Sequence, residues 1–359
     1  MLNRSLSLLS CGLMLPCAMA QAPQLTVVPS AYDQLDAVSH LWIAGACCDV
    51  RQQTLVGASH LTAMVGRQLT AIELRRTAAN ETYFGGVAQL VVTLSANAAQ
   101  PLRCSKTFAA NVGASPLQVF AGQVVLPSSP AEPGPRVGWT PSNTVRIAFQ
   151  TPFVYTGGTL CIDVVGLAIP GQTANWWMAD AMFEDLSGAA TPRGNGCGPY
   201  GGPTGHWAHT STGDLVPGAH ANFFAYGPPN SLGVAAFGPA SAAPIPLTLF
   251  GFPSPGCDLH LGAVDAMLPA LFVPESDPGM YPSGRADVHL WIPDSAAVFG
   301  MTMTTQWFEW SHLVTSNAIE WTVAAALPTL DMAVIEGHPS EAIGNVSVHQ
   351  GHILRFEHQ

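Results

Sequence analysis

The chain has 359 residues, 48% of them hydrophobic and 10% charged, with a formal net charge of −11 at neutral pH. So much apolar material under so little charge excludes a chain disordered by composition, and the length suits two domains rather than one. Lys106 is the single lysine and no run of Lys and Arg occurs, which excludes a nucleic-acid partner, because phosphate contacts need clustered cations.

In chain order, the first segment is MLNRSLSLLSCGLMLPCAMA, residues 1–20, which reads as an export signal. Arg4 lies in a short leading region, an apolar run extends from Leu6 to Leu15, and Ala18-Met19-Ala20 supplies the small residues of a cleavage site. The apolar run is too short for the ~30 Å of hydrocarbon in a bilayer. Cleavage after Ala20 is therefore expected, with release of a secreted, extracellular or periplasmic chain that inserts in no membrane. Cys11 and Cys17 leave with the signal; Cys47, Cys48, Cys104, Cys161, Cys197 and Cys257 remain. An even count in an exported chain points to disulfides, and the lack of C-x-x-C argues against a zinc ribbon or a thioredoxin-like redox pair. Cys104 and Cys161 each border a strand-like run and form one candidate pair. Cys47 and Cys48 are expected to go to separate partners, because a bridge between neighbours strains the intervening peptide.

Helical periodicity is sparse, and two-residue alternation recurs instead. QLVVTLS places Leu90, Val92 and Leu94 on one face, TVRIAFQ does so with Val145, Ile147 and Phe149, and TLCIDVV with Leu160, Ile162 and Val164. Later runs repeat the pattern: Ile245, Leu247 and Leu249; Val288, Leu290 and Ile292; Ile319, Trp321 and Val323; and the closing NVSVHQGHILRFE. With 35 Gly and 30 Pro punctuating these runs, tight turns between antiparallel strands are expected. The predicted fold is all-β: two antiparallel β-sandwiches of jelly-roll or Ig-like type, at 21–190 and 221–359, joined by a Gly/Pro/His-rich connection at 191–220.

Several segments carry a resemblance. RQQTLVGASHL, LTAIELRR, FAANVG and TPFVYTGGTLCIDV resemble the N-terminal region of uncharacterised exported β-sandwich proteins of planctomycete-type bacteria. GPPNSLGVAAFGPA, IPLTLFGFPSPGCDLHL, HLWIPDSAAVFGMTMTTQWFEW and the final HILRFE are similar to their C-terminal module. The group carries no established activity, so the resemblance implies the fold and the exported address. It also implies a disulfide between Cys197 and Cys257, since both lie in the characteristic segments of that module.

The stretch GNGCGPYGGPTGHWAHTSTG, residues 194–213, concentrates chemistry-bearing side chains. His206 and His209 could converge with His220, Asp214 or Cys197 on a metal. Residues three apart share a face only in a helix, and helix breakers flank this pair, so an exposed loop with a disulfide at its base is preferred to a metal centre. Trp176, Trp177 and Trp207 are the candidate ligand-binding aromatics, since exposed planar rings on a sandwich stack against sugar faces, with core packing the preferred reading because large aromatics are mostly buried; Trp307 and Trp321 fit inward-facing core positions. Asp180, Glu184 and Asp185 are candidates for a glycosidase pair, with a solvated loop the preferred reading. Ser59-His60 is too close in sequence for a nucleophile and its base, and no nucleophile elbow, zinc-protease helix, phosphate loop or dinucleotide fingerprint occurs. No cofactor is expected; acidic turns would take Ca²⁺ and the histidine loop Zn²⁺, without a dedicated motif for either. The functional expectation is an extracellular or cell-envelope binding or structural module whose partner is a polysaccharide or a cell-surface protein. The alternative is a secreted hydrolase or metal-binding protein with its site near His206 and His209.

Overall fold

The computed structural model describes residues 22–37, 39–170, 177–198, 214–252, 254–274 and 284–359. They form an all-β structure. The chain first runs through β1 (Gln24–Val28), β2 (Ser39–Trp42), β3 (Val50–Val56), β4 (Gln68–Arg75), β5 (Gly86–Asn97), β6 (Ala114–Leu126), β7 (Thr144–Val154), β8 (Thr159–Leu167) and β9 (Met178–Phe183). Then follow β10 (Ala189–Arg193), β11 (His220–Gly227), β12 (Leu232–Gly238), β13 (Ala240–Pro246), β14 (Asp258–Leu261), β15 (Ala266–Leu271), β16 (Val273–Pro274), β17 (Gly284–Trp291), β18 (Thr302–Glu309) and β19 (Val314–Thr322). The end of the chain supplies β20 (Met332–Gly337), β21 (Asn345–Ser347), β22 (Gln350–His352) and β23 (Leu354–His358). Among the described residues, no helix is long and apolar enough to cross a membrane.

Sheet membership departs from chain order. A six-stranded sheet has the order β21-β20-β3-β8-β5-β6, a four-stranded sheet β1-β23-β4-β7, and a three-stranded sheet β2-β9-β22. In each, strands from the last part of the chain pair with strands from the first: β20 with β3, β22 with β9, and β23 with both β1 and β4. The middle of the chain forms the five-stranded sheet β10-β19-β18-β12-β15, the three-stranded β11-β17-β16 and the hairpin β13-β14. The division expected at 190 and 221 therefore differs from the strand pairing. β10 belongs with the middle sheets, and everything from Met332 onward returns to the first ones. Alternation tells which face of a strand is apolar and leaves its neighbour unspecified, so a returning strand looks like any other.

Two apolar clusters follow the pleat. One joins Leu90, Val92 and Leu94 of β5 and Ile162 of β8 to Ile72 of β4, Val145 and Ile147 of β7, and Phe356 of β23. The other is aromatic: the Phe223 ring lies 5.4 Å from Phe237 and 5.3 Å from Trp321, and Phe272 lies 6.2 Å from Trp307. Trp307 and Trp321 are both buried, as their alternation requires. One expected strand face is different. After Pro246 the chain turns through a 3₁₀ helix, Leu247–Phe250, that ends on the left-handed Gly251, and Leu249 is left exposed instead of inward.

Cys197 and Cys257 form a disulfide, packed with Leu247 and Val314. The neighbouring Gly198 takes φ +71°, and a Cβ there would lie 2.5 Å from Val314 Cγ1, so only glycine fits the turn. Cys104 and Cys161 are not bonded. Both are free thiols buried in a third cluster with Leu55, Phe108, Val216 and Ile335, and burial pushes each up to about 12. Cys47 and Cys48, expected to pair elsewhere, are also free. The disulfide closes a sequence separation of 60 residues. Replacing both partners by serine is expected to lower the unfolding free energy by about 4 kcal/mol from loop entropy. Urea melts of the double variant against the oxidised parent check this.

Candidate functional site

β11 and β17 form an antiparallel pair whose two faces differ in character. Ala221, Phe223 and Ala225 of β11 and Ala286 and Val288 of β17 point into the aromatic cluster. The opposite face carries His220, Asn222, Phe224 and Tyr226 of β11 against Trp291, His289, Asp287 and Arg285 of β17, each pair in direct register. Such opposed side chains stand about 4.5–5.5 Å apart at Cβ, so this face is a continuous polar and aromatic strip.

Within the strip the charges are already matched. Arg285 Nη2 donates to Asp287 Oδ1 at 2.8 Å and Nε to Oδ2 at 3.0 Å, and its guanidinium sits 4.1 Å from the centre of the Phe224 ring. Asn222 Nδ2 donates to the same Asp287 Oδ1 at 3.2 Å. That contact orients the amide and leaves Asn222 Oδ1 buried without a hydrogen-bond partner. An orphaned acceptor of this kind costs on the order of 1–3 kcal/mol unless something donates to it.

A cavity of about 280 Å³ opens where this strip meets β21. Its walls include Asp214, His220, Asn222, His289, Asn345 and Val346. Burial pushes both imidazoles below the ordinary histidine range, and the Lys106 ammonium adds to the effect on each. His220 is lowered further by His289; on His289, Asp287 opposes the fall and Arg285 reinforces it. At neutral pH each ring is therefore uncharged and presents one N–H donor and one nitrogen acceptor. Neither ring makes a hydrogen bond to another described residue. A few ångströms along the strip, Trp291, opposite His220 in register, is 50% exposed.

Of the residues singled out from sequence, His220 and Asp214 do line one cavity. His206, His209, Trp207 and Trp176 lie outside the described residues. Cys197 is spent in the disulfide and is no metal ligand. Among the described residues, no three His, Cys, Asp or Glu side chains gather to hold a metal ion. Trp177 is fully buried: its Nε1 donates to the Pro127 carbonyl at 3.0 Å and its ring meets Tyr83 edge-on at 5.7 Å, so it serves the core and no surface. The proposed carboxylate pair is also employed elsewhere. Asp180 is sealed against Arg75 and the amide of Ala37, and Glu184 accepts from the amides of Thr329 and Leu330. Sequence reasoning missed His289, Asn222 and Asn345. The polar positions of HANFFAYG and GRADVHLW carry the signal, but only the strand register joins them.

Compared with known proteins, the chain matches no family model, no curated sequence and no solved structure.

A separate histidine contributes to the acid stability. His352 is buried beside Thr54, whose Oγ1 lies 3.1 Å from Nδ1, and burial pushes its pKa down to about 4. Its stabilising contribution is complete above the unfolded value of about 6.5 and is lost as pH falls from there toward 4. Asp180 has the opposite slope, since burial pushes it up to about 6 against the pull of Arg75. The difference between parent and His352→Gln isolates the histidine. At ~1.4 kcal/mol per pH unit, the parent is expected to lose about 3 kcal/mol more than the variant between pH 7 and pH 4, read from urea melts across that range.

Proposed function

We propose that this protein is an exported, cell-envelope or extracellular module that binds uncharged polysaccharide in the cleft beside His220, Asn222 and His289. The single observation that carries the reading is the convergence of unused hydrogen-bonding groups on one cavity. These are two neutral imidazoles and the orphaned Asn222 Oδ1. A sugar hydroxyl donates and accepts at once, which is the complement such a mixed wall asks for, and a cavity of about 280 Å³ admits a pyranose ring. Trp291 at the end of the strip offers the apolar platform on which a neighbouring sugar stacks.

The rest of the reading fits this role. The expected leader, its expected cleavage before Gln21 and the disulfide Cys197–Cys257 suit a chain that works outside the cytoplasm. The two apolar clusters support two β-sandwiches, the later one inserted into the earlier, with the cleft where the inserted pair β11–β17 meets the returning strand β21.

The test is a glycan array probed with the full exported chain, followed by calorimetry on the best ligand. Retention of a neutral glycan is expected, with His289→Ala and Asn222→Ala each weakening it roughly tenfold, about 1.4 kcal/mol. Retention of no neutral glycan, or equal affinity in both variants, overturns the reading. Cleavage of the retained glycan moves the assignment to a hydrolase.

A further inference from the structure

A larger cavity lies elsewhere, as an open groove of about 530 Å³ on the outward face of the sheet β1-β23-β4-β7. Its floor is set by register. Arg355 of β23 stands opposite Glu73 of β4, and Glu73 stands opposite Arg146 of β7, so one carboxylate lies in a row between two guanidiniums. Arg355 Nε donates to Glu73 Oε2 at 2.5 Å, and Arg146 Nε is 3.3 Å from Oε1. Arg146 also spends Nη2 on Glu357 at 2.7 Å.

Arg355 is used differently. Its Nε is its one hydrogen-bonding atom engaged by the described residues, while its guanidinium lies 4.4 Å from the centre of the Trp139 ring. Both terminal amino groups are open, on a side chain that is 17% exposed. Trp139 is itself fixed by a hydrogen bond from Nε1 to the Asp33 carbonyl and by the buried Arg75 guanidinium 5.0 Å from its ring. Two positions from Arg146 on β7, about 6.6 Å along the strand, Thr144 also lines the groove. Its Oγ1 is buried and has no hydrogen-bond partner.

The charge of the wall decides the ligand class. In a chain of net charge −11, the groove is lined by Arg146 and Arg355 against Glu73 alone. The cleft beside His220 is lined by Asp214, and a further cavity by Asp49 and Glu336. A planar guanidinium edge with two free donors matches a carboxylate end-on, and a buried hydroxyl adds a third donor. Trp139 and the apolar stretch at Phe120, Val125 and Pro127 supply a wall for the hydrocarbon face of a ring.

We propose that this groove is a second, independent binding site that takes a carboxylate-bearing saccharide, a uronate, with its carboxylate on Arg355 and Thr144 and its ring against the aromatic wall. The site shares no residue with the cleft and is tested apart from it. Calorimetry compares trigalacturonate, its methyl ester, and acetate as the free carboxylate. The acid is expected to bind at least tenfold tighter than the ester and than acetate. Arg355→Lys, which keeps the charge on Glu73 but removes the fork, is expected to weaken it about tenfold, and Thr144→Val several-fold, with melting temperatures unchanged. Asn222→Ala is expected to leave it unaltered. Equal binding of acid and ester overturns the carboxylate assignment; acetate binding as tightly as the saccharide overturns the role of the ring. Full affinity in both groove variants overturns the site. Loss of uronate binding in Asn222→Ala places the ligand in the cleft instead.

Discussion

The architecture depends on the antiparallel insertion of β23 between β1 and β4. Five residues from Leu354 to His358 pair on one side with Gln24–Val28 and on the other with Leu69–Leu74, so the last strand of the chain is interior to a sheet made of its first. Without it, β4 would present an unpaired edge and Phe356 would leave the core between the sheets. The same return carries β20 onto β3 and β22 onto β9. Because loop-closure entropy grows only slowly with length, a pairing across more than 300 positions, Gln24 with His358, is tolerated once the intervening chain has its own apolar centre.

Both cavities owe a wall to that return. Asn345 and Val346 of β21 close the cleft against β11 and β17, and Arg355 of β23 supplies the open guanidinium of the groove. A module whose sheets were built in simple chain order would have neither. The two walls then diverge in chemistry because of what each strand carries. The cleft receives imidazoles kept neutral by burial and by Lys106, and the groove receives arginine, which no protein environment neutralises.

The few charges are placed to hold backbone. Arg75, fully buried, donates to the carbonyls of Tyr32, Asp33, Leu35 and Val137 as well as to Asp180. It therefore organises the segment after β1 and supports Trp139 from beneath. Arg76 does the same on the next residue, with donors to Thr77, Ser129, Pro130 and Glu81. Such guanidiniums satisfy backbone carbonyls in loops that no strand partner reaches.

The sequence by itself determined the secondary-structure class and much of the core. Alternation at Val92 and Leu94, Val145 and Ile147, or Ile319 and Trp321 is a one-dimensional signal, and each of those residues is buried as the period demands. The Cys197–Cys257 bridge was likewise expected, and it is formed. What only the tertiary structure decided is which strands are neighbours. Alternation fixes which face of a strand is apolar and not which strand lies beside it, so the return of residues 332–358 and the free state of Cys104 and Cys161 were not readable locally. The cleft and the groove are products of register, where His220 meets Trp291 and Arg355 meets Glu73, and register is a property of the assembled sheets.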